Sequence, residues 1–127
     1  MTMPHERTRS LRWAFEVLQQ VRADALANDG DRARAAELLV SFPTPATVLE
    51  WIQSNTSCLP VDAALAIEGA GDLLRSIHRS ETCPAKLRHD VMSALRHFPE
   101  CASAQRWTKA SAGLSIRTWL LPEGVYD

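Results

Sequence analysis

The sequence predicts an all-α fold: a compact six-helix bundle built from two pseudo-equivalent three-helix units, with a C-terminal segment docked on it. Three observations carry that expectation. Apolar residues recur at helical spacing along most of the chain. Pro and small polar residues interrupt them where helices would start and stop. An ungapped shift of 56 positions also lays residues 3–51 on residues 59–107. Nine of the forty-nine aligned pairs are identical, including Phe42 with Phe98, Pro43 with Pro99 and Trp51 with Trp107, where about three would arise by chance at common residue frequencies. The chain therefore reads as one domain over residues 1–127, with unit one at about 3–51, unit two at about 59–107 and a C-terminal segment at 114–127.

In unit one, Pro4 suits the opening turn of a helix because its missing N–H costs nothing there. Thr2 is the expected cap, and Glu6 is favourably placed near the positive helix end. Leu11, Ala14, Phe15, Leu18 and Val21 share a face, and the pattern fades toward an expected end near Ala27, ahead of the Asn28-Asp29-Gly30 turn cluster. Asp29 or Asp31 is expected to cap a second helix carrying Ala35, Leu38, Leu39 and Phe42, which Pro43 and Pro45 stop. Thr47 and Glu50 have capping-box spacing for a short third helix through Trp51 and Ile52.

Unit two repeats the order. A helix is expected from Pro60 to about Ser80, another from Pro84 to about His97 with Thr82 as cap, and a short one through Trp107 with Ser103 as cap. The first of these is apolar on most sides, with a narrow charged stripe of Glu68, Asp72 and Arg75, so it should be central. Gly69 and Gly71 cost about 1 kcal/mol each inside a helix relative to Ala, and close approach of a neighbouring helix would offset that. Residues 114–127 carry Leu114, Ile116, Trp119, Leu120, Leu121, Val125 and Tyr126, too apolar for a solvated tail. They are expected to dock on their own helices, or else on a second subunit or partner.

Composition narrows the function. Hydrophobic residues at 46% and charged residues at 23% belong to a folded globule. Fourteen Lys and Arg against fifteen Asp and Glu leave a formal net charge of -1, too little overall field to recruit a bulk polyanion. No apolar run approaches the roughly 20 residues that span a bilayer, and Met1 to Arg12 is polar where a signal peptide is apolar. Cys58, Cys83 and Cys101 are odd in number and widely spaced, as reduced thiols are. The expected setting is cytoplasmic, without membrane association.

Catalytic and cofactor motifs do not emerge. His97 and Cys101 have a four-residue spacing, but Pro99 lies between them and no further ligand pair completes a zinc site. Gly69-Ala-Gly71 lacks the third glycine of a dinucleotide fingerprint, Leu74 standing in its place. His89 and Asp90 diverge by about 100° on a helix. The expectation is a chain that is not an enzyme and needs no cofactor or metal.

The opening Met3-Pro-His-Glu-Arg-Thr-Arg9, followed by Leu11, Ala14 and Leu18, together with Leu95-Arg-His-Phe-Pro99, resembles a family of small uncharacterised proteobacterial proteins. Those proteins typically begin MTMPxERTRA and later read LRHYP within a single short unit. Here the opening motif stands in unit one and the closing motif in unit two, while Ser41-Phe42-Pro43 and Leu59-Pro60-Val61-Asp62 look like eroded copies. The resemblance covers both units and leaves the tail uncovered. It implies a helical fold in a bacterial cytoplasm, with no established activity. By position it makes Glu6, Arg7 and Arg9 the polar opening motif and Arg96, His97, Phe98 and Pro99 the closing one. Ala63 and Leu65 stand at the positions of Arg7 and Arg9 in unit two, which argues against both units binding the same thing.

The functional expectation is a non-catalytic protein-interaction module that binds a protein partner or self-associates, with homodimerisation as one form. Glu6, Arg7, Arg9, Arg12, Trp13, Arg96, His97 and Trp119 are its candidate binding residues. Trp13 lies about 100° off the Leu11, Ala14, Leu18 face, and an exposed Trp13 or Trp119 would be an interface anchor. Trp51 and Trp107 read as lids on each unit's core. One alternative is a nucleic-acid-associated regulator using Arg7, Arg9 and Arg12 on one face. Another is a small-molecule or enzymatic pocket between the units, lined by at least two of His78, His89, Glu68 and Asp72.

Overall fold

A computed structural model describes residues 2–109 and 114–124, and over these residues the chain is helical with no strand. Six helices follow in order: α1 (Pro4–Ala23), α2 (Asp29–Leu39), α3 (Pro45–Gln53), α4 (Val61–Arg79), α5 (Ala85–Leu95) and α6 (Cys101–Arg106). A 3₁₀ turn at Ile116–Thr118 closes the described chain. The all-α bundle expected from periodicity is what the structure shows. The helix boundaries also recur at the spacing of the sequence shift. Helices α2 and α5 start at 29 and 85 and end at 39 and 95, and α3 and α6 start at 45 and 101.

Several helix caps differ from those expected, for identifiable reasons. The cap of α1 is Met3, whose N–H donates to the Glu6 carboxylate at 2.9 Å, so Glu6 does the work assigned to Thr2. Asn28, and not Asp29 or Asp31, caps α2: its Oδ1 accepts from the N–H groups of Gly30 (2.7 Å) and Asp31 (3.2 Å). Both aspartates sit in the first turn, where the helix dipole favours them. Helix α3 begins at Pro45, preset for the first helical position, so Thr44 is the cap and Thr47 donates its N–H to the Thr44 hydroxyl at 3.1 Å. Pro84 and Glu100 stand where Thr82 and Ser103 were expected. The end of α1 also comes one turn before Ala27. Asp24 leaves helical geometry and its carboxylate captures the Leu26 N–H at 2.9 Å, the local competition that makes Asp a helix breaker.

Packing forms a ring. Helix α1 lies against α2 and α5, and α4 lies against α5 and α2, so exchanging the halves maps these neighbours onto one another. Helix α6 covers another side of α4, and α3 touches α1. Ten residues of α4 are buried, from Ala63 to Ile77. The two glycines within it mark close approaches: a Cβ on Gly69 would lie 2.7 Å from atoms of Arg34 and Leu38 on α2, and one on Gly71 would lie 3.2 Å from the Phe98 ring. Trp51 and Trp107 are both buried in the core. One backbone bond ties the start of unit two to its end, from the Leu59 N–H to the Trp107 carbonyl at 2.7 Å.

The C-terminal segment docks on its own chain. Ile116, Trp119 and Leu120 are buried. The Arg117 guanidinium donates to the carbonyls of Ile52 (3.1 Å) and Gln53 (3.2 Å), both in the last turn of α3. Glu123 receives Arg12 of α1 in a two-point pair at 2.7 and 2.9 Å. Val125 and Tyr126 lie outside the described residues.

Candidate functional site

The eight residues singled out from sequence fall into two clusters that meet along the first turns of α1. In the first, the opening and closing motifs come together across the two units. His97 follows α5, and its Nε2 lies 2.8 Å from Glu6 Oε2. Its Nδ1 lies 3.3 Å from the Thr2 hydroxyl. Assigning the ring proton to Nε2 satisfies both contacts, with Nε2–H donating to the carboxylate and Thr2 donating to Nδ1. Both side chains are largely sheltered, at 18% exposure for Glu6 and 22% for His97. The Met3 N–H bond, aided by the nearby His97, His5 and Arg9, holds the Glu6 carboxyl below its ordinary pKa.

Arg9 and Arg12 flank the indole of Trp13, with guanidinium carbons 5.1 and 6.0 Å from the ring centroid. Arg9 also stands 4.0 Å from Glu6, and Arg12 pairs with Glu16 and with Glu123. Trp13 is half-buried and packed against the core beneath these cations, so it is not the bare apolar anchor that full exposure would make it. Arg7 points elsewhere and donates to the carbonyls of Trp119 (3.1 Å) and Thr2 (3.2 Å). Arg7, Arg9 and Arg12 are thus each committed to an internal partner and do not form an open cationic face.

The second cluster is a hollow of about 480 Å³ where the start of α1, the α5–α6 link, α6 and the C-terminal segment converge. Arg7, Arg96 and Arg106 supply its positive charge, and Glu100 is the carboxylate among its lining residues. Arg96 and Arg106 are exposed, and neither side chain makes a hydrogen bond or ion pair among the described residues. Phe98, Pro99, Leu114, Trp107 and Trp119 give the hollow an apolar side. Trp119 is a buried wall and not a surface anchor. It stacks on Trp107 with ring centroids 5.8 Å apart, and its indole N–H donates to Ser103 Oγ at 3.0 Å. That bond occupies an acceptor site of the Ser103 hydroxyl and leaves the hydroxyl proton uncommitted among the described residues.

Ser103 and Arg106 are the functional candidates that sequence reasoning did not place. Ser103 was expected as a cap, and the i, i+3 spacing of the two residues sets both on one face of α6. The other expected site has a different geometry. His78 and His89 do share a hollow, but it lies between α4 and α5 inside unit two and opens to solvent. Glu68 and Asp72 are not among its lining residues: Glu68 accepts from Gln105 at 2.6 Å and Asp72 pairs with Arg75 at 3.1 Å. Among the described residues, no group of three or more His, Cys, Asp or Glu side chains is placed to hold a metal ion. The Cys101 side chain lies outside what the structure describes, and Cys58 and Cys83 are free thiols.

No helix among the described residues is long and apolar enough to cross a membrane. Comparison of the chain with protein-family models, with curated proteins and with solved structures finds no match.

Proposed function

We propose that this protein is a non-catalytic, cytoplasmic protein-interaction module that takes hold of its partner through an anionic group at the hollow between Arg96 and Arg106. One observation carries the reading. Arg9, Arg12, Arg32, Arg34 and Arg75 each face a carboxylate within 4.0 Å, whereas Arg96 and Arg106 line one concave site with no such partner among the described residues. Two arginines lining one concave site add their positive potentials there and attract an anion. Arg is also the side chain best shaped for a fork of paired hydrogen bonds to a carboxylate or phosphate. A partner protein presenting such a group supplies the missing charge. A second copy of this chain is one such partner.

The test is a comparison of complexes cross-linked in the native cell and purified through the wild-type chain, an Arg96→Glu/Arg106→Glu variant and an Arg22→Glu/Arg79→Glu control. Arg22 and Arg79 are exposed and their side chains are equally without partners among the described residues, but they line none of the hollow. The expected result is one or more complexes lost only in the first variant, with helical content unchanged by circular dichroism. An identical set of complexes from all three chains refutes the reading. Sedimentation of the purified protein over a range of concentrations identifies the case in which the partner is a second copy.

A further inference from the structure

The proposal above leaves the anion's identity open, and the walls of the hollow narrow it. We infer that the site is a receptor for the C-terminal carboxylate of a partner polypeptide, with an apolar last side chain seated against the wall that Phe98 and Leu114 complete. This inference rests on the reading just proposed.

Three features of the site select that ligand. The first is the donor set. Arg96 and Arg106 carry uncommitted guanidiniums, and Ser103 carries a hydroxyl proton that the Trp119 indole, by donating to the same oxygen, leaves for an acceptor in the hollow. Two guanidiniums and one hydroxyl match the two oxygens of a single carboxylate. Arg7 lines the same hollow and adds its charge, but both of its terminal nitrogens already donate to carbonyls.

The second feature is Glu100, exposed and without a partner among the described residues. A phosphate monoester near pH 7 carries between one and two negative charges and would meet this carboxylate as well as the arginines. A terminal carboxylate carries one, and the peptide N–H groups behind it give Glu100 something to accept from. The third feature is the division of the lining. Phe98, Pro99 and the Trp107–Trp119 stack stand beside the cations, and Leu114 is half exposed at 52%. A free phosphate or sulfate would leave that apolar side wet. A terminal residue presents a charge and a side chain from the same Cα, and so engages both sides together. The hollow, at about 480 Å³, lies within the range of about 300–1,000 Å³ of small-ligand sites, which suits a chain end better than a whole helix.

The experiment uses the full chain and an equimolar pool of acetyl-Gly-Gly-Xaa tripeptides, with Xaa running over all twenty residues. The pool is prepared as free acids and separately as C-terminal amides, with inorganic phosphate as a third probe. Binding is read from tryptophan fluorescence and from the indole N–H signals of Trp107 and Trp119. The acid pool is expected to bind at least 10-fold more tightly than the amide pool, because hydrogen bonds to a charged group contribute more than neutral ones. Arg96→Gln and Arg106→Gln are each expected to weaken the acid pool about 10-fold, and Ser103→Ala about 5-fold. All three positions are on the surface or at its edge, and circular dichroism verifies that each variant keeps the wild-type fold.

Equal binding of acids and amides overturns the inference, as does binding of phosphate when the acid pool fails. In either case the broader reading stands if Arg96→Glu/Arg106→Glu still removes the cellular complex. If the peptides fail and charge reversal also leaves every complex intact, both fall.

Discussion

Replacing Trp119 by Ala tests whether the C-terminal segment is structural and whether it shapes the hollow. The residue is 5% exposed, stacks on Trp107 at 5.8 Å and donates a 3.0 Å hydrogen bond to Ser103. Truncating a buried aromatic to Ala costs about 3–5 kcal/mol through lost transfer energy and the cavity left behind. Within that total, the hydrogen bond is worth about 1 kcal/mol and the ring pair about 0.5–1.5 kcal/mol. Unfolding entropy near 2.1 cal/mol/K per residue makes the expected fall in melting temperature roughly 10–20 °C for a chain of this length. Trp119→Phe keeps most of the stacking and loses the N–H, so it should cost about 1–2 kcal/mol. Equilibrium urea unfolding of the two variants and the wild type measures both. A loss below about 1 kcal/mol for Trp119→Ala would mean that the segment is not docked as described, since no buried and stacked indole leaves that cheaply.

Three other tests follow from the same geometry. Gly69→Ala should be close to neutral by chemical denaturation, because a gain of about 1 kcal/mol in helix propensity opposes displacement of two flexible side-chain ends, those of Arg34 and Leu38; Gly69→Leu should cost about 1–3 kcal/mol by forcing α2 away from α4. Removing the α2 cap by Asn28→Ala should cost about 0.5–2 kcal/mol in the same assay, whereas Asp29→Ala should cost less. Because Glu6 is held below its ordinary pKa in the folded chain, its contribution is fully present above the unfolded-state value of about 4.3 and is lost as pH falls through the folded value. Wild-type stability should therefore fall more steeply below about pH 4.3 than that of Glu6→Gln, and parallel acid limbs in the two unfolding series would rule the contribution out.

What the sequence revealed, and what it concealed, divides along contact range. Helix identity was legible because it rests on local periodicity and on Pro placed where a helix opens, as at Pro4. The close approaches at Gly69 and Gly71 were legible too, since two glycines inside a strongly apolar helix need a compensating neighbour, and α2 and Phe98 supply it. Cap assignments slipped where two local signals competed: Asn28 captured the amides that Asp29 might have held, and Pro45 drew the start of α3 ahead of Thr47. Ser103 left the capping role for a reason no local pattern contains, an indole sixteen positions away in sequence. The pairing of Glu6 with His97 and of Arg12 with Glu123 joins distant segments of the chain. The opening and closing motifs marked the residues of the first pair without indicating that they touch. The hollow draws its parts from several segments, and no local pattern indicates that Arg96 and Arg106 line it together.

The most direct measurement of the central claim is where a bound anion perturbs the protein. Amide and arginine side-chain nitrogen–proton spectra recorded during titration with the acetylated tripeptide acids should show shifts concentrated at Arg96, Ser103, Arg106 and the Trp119 indole, with Arg9, Arg12 and Trp13 unmoved. Shifts centred on Trp13 and its two arginines, or spread evenly over the exposed cations, would contradict the account.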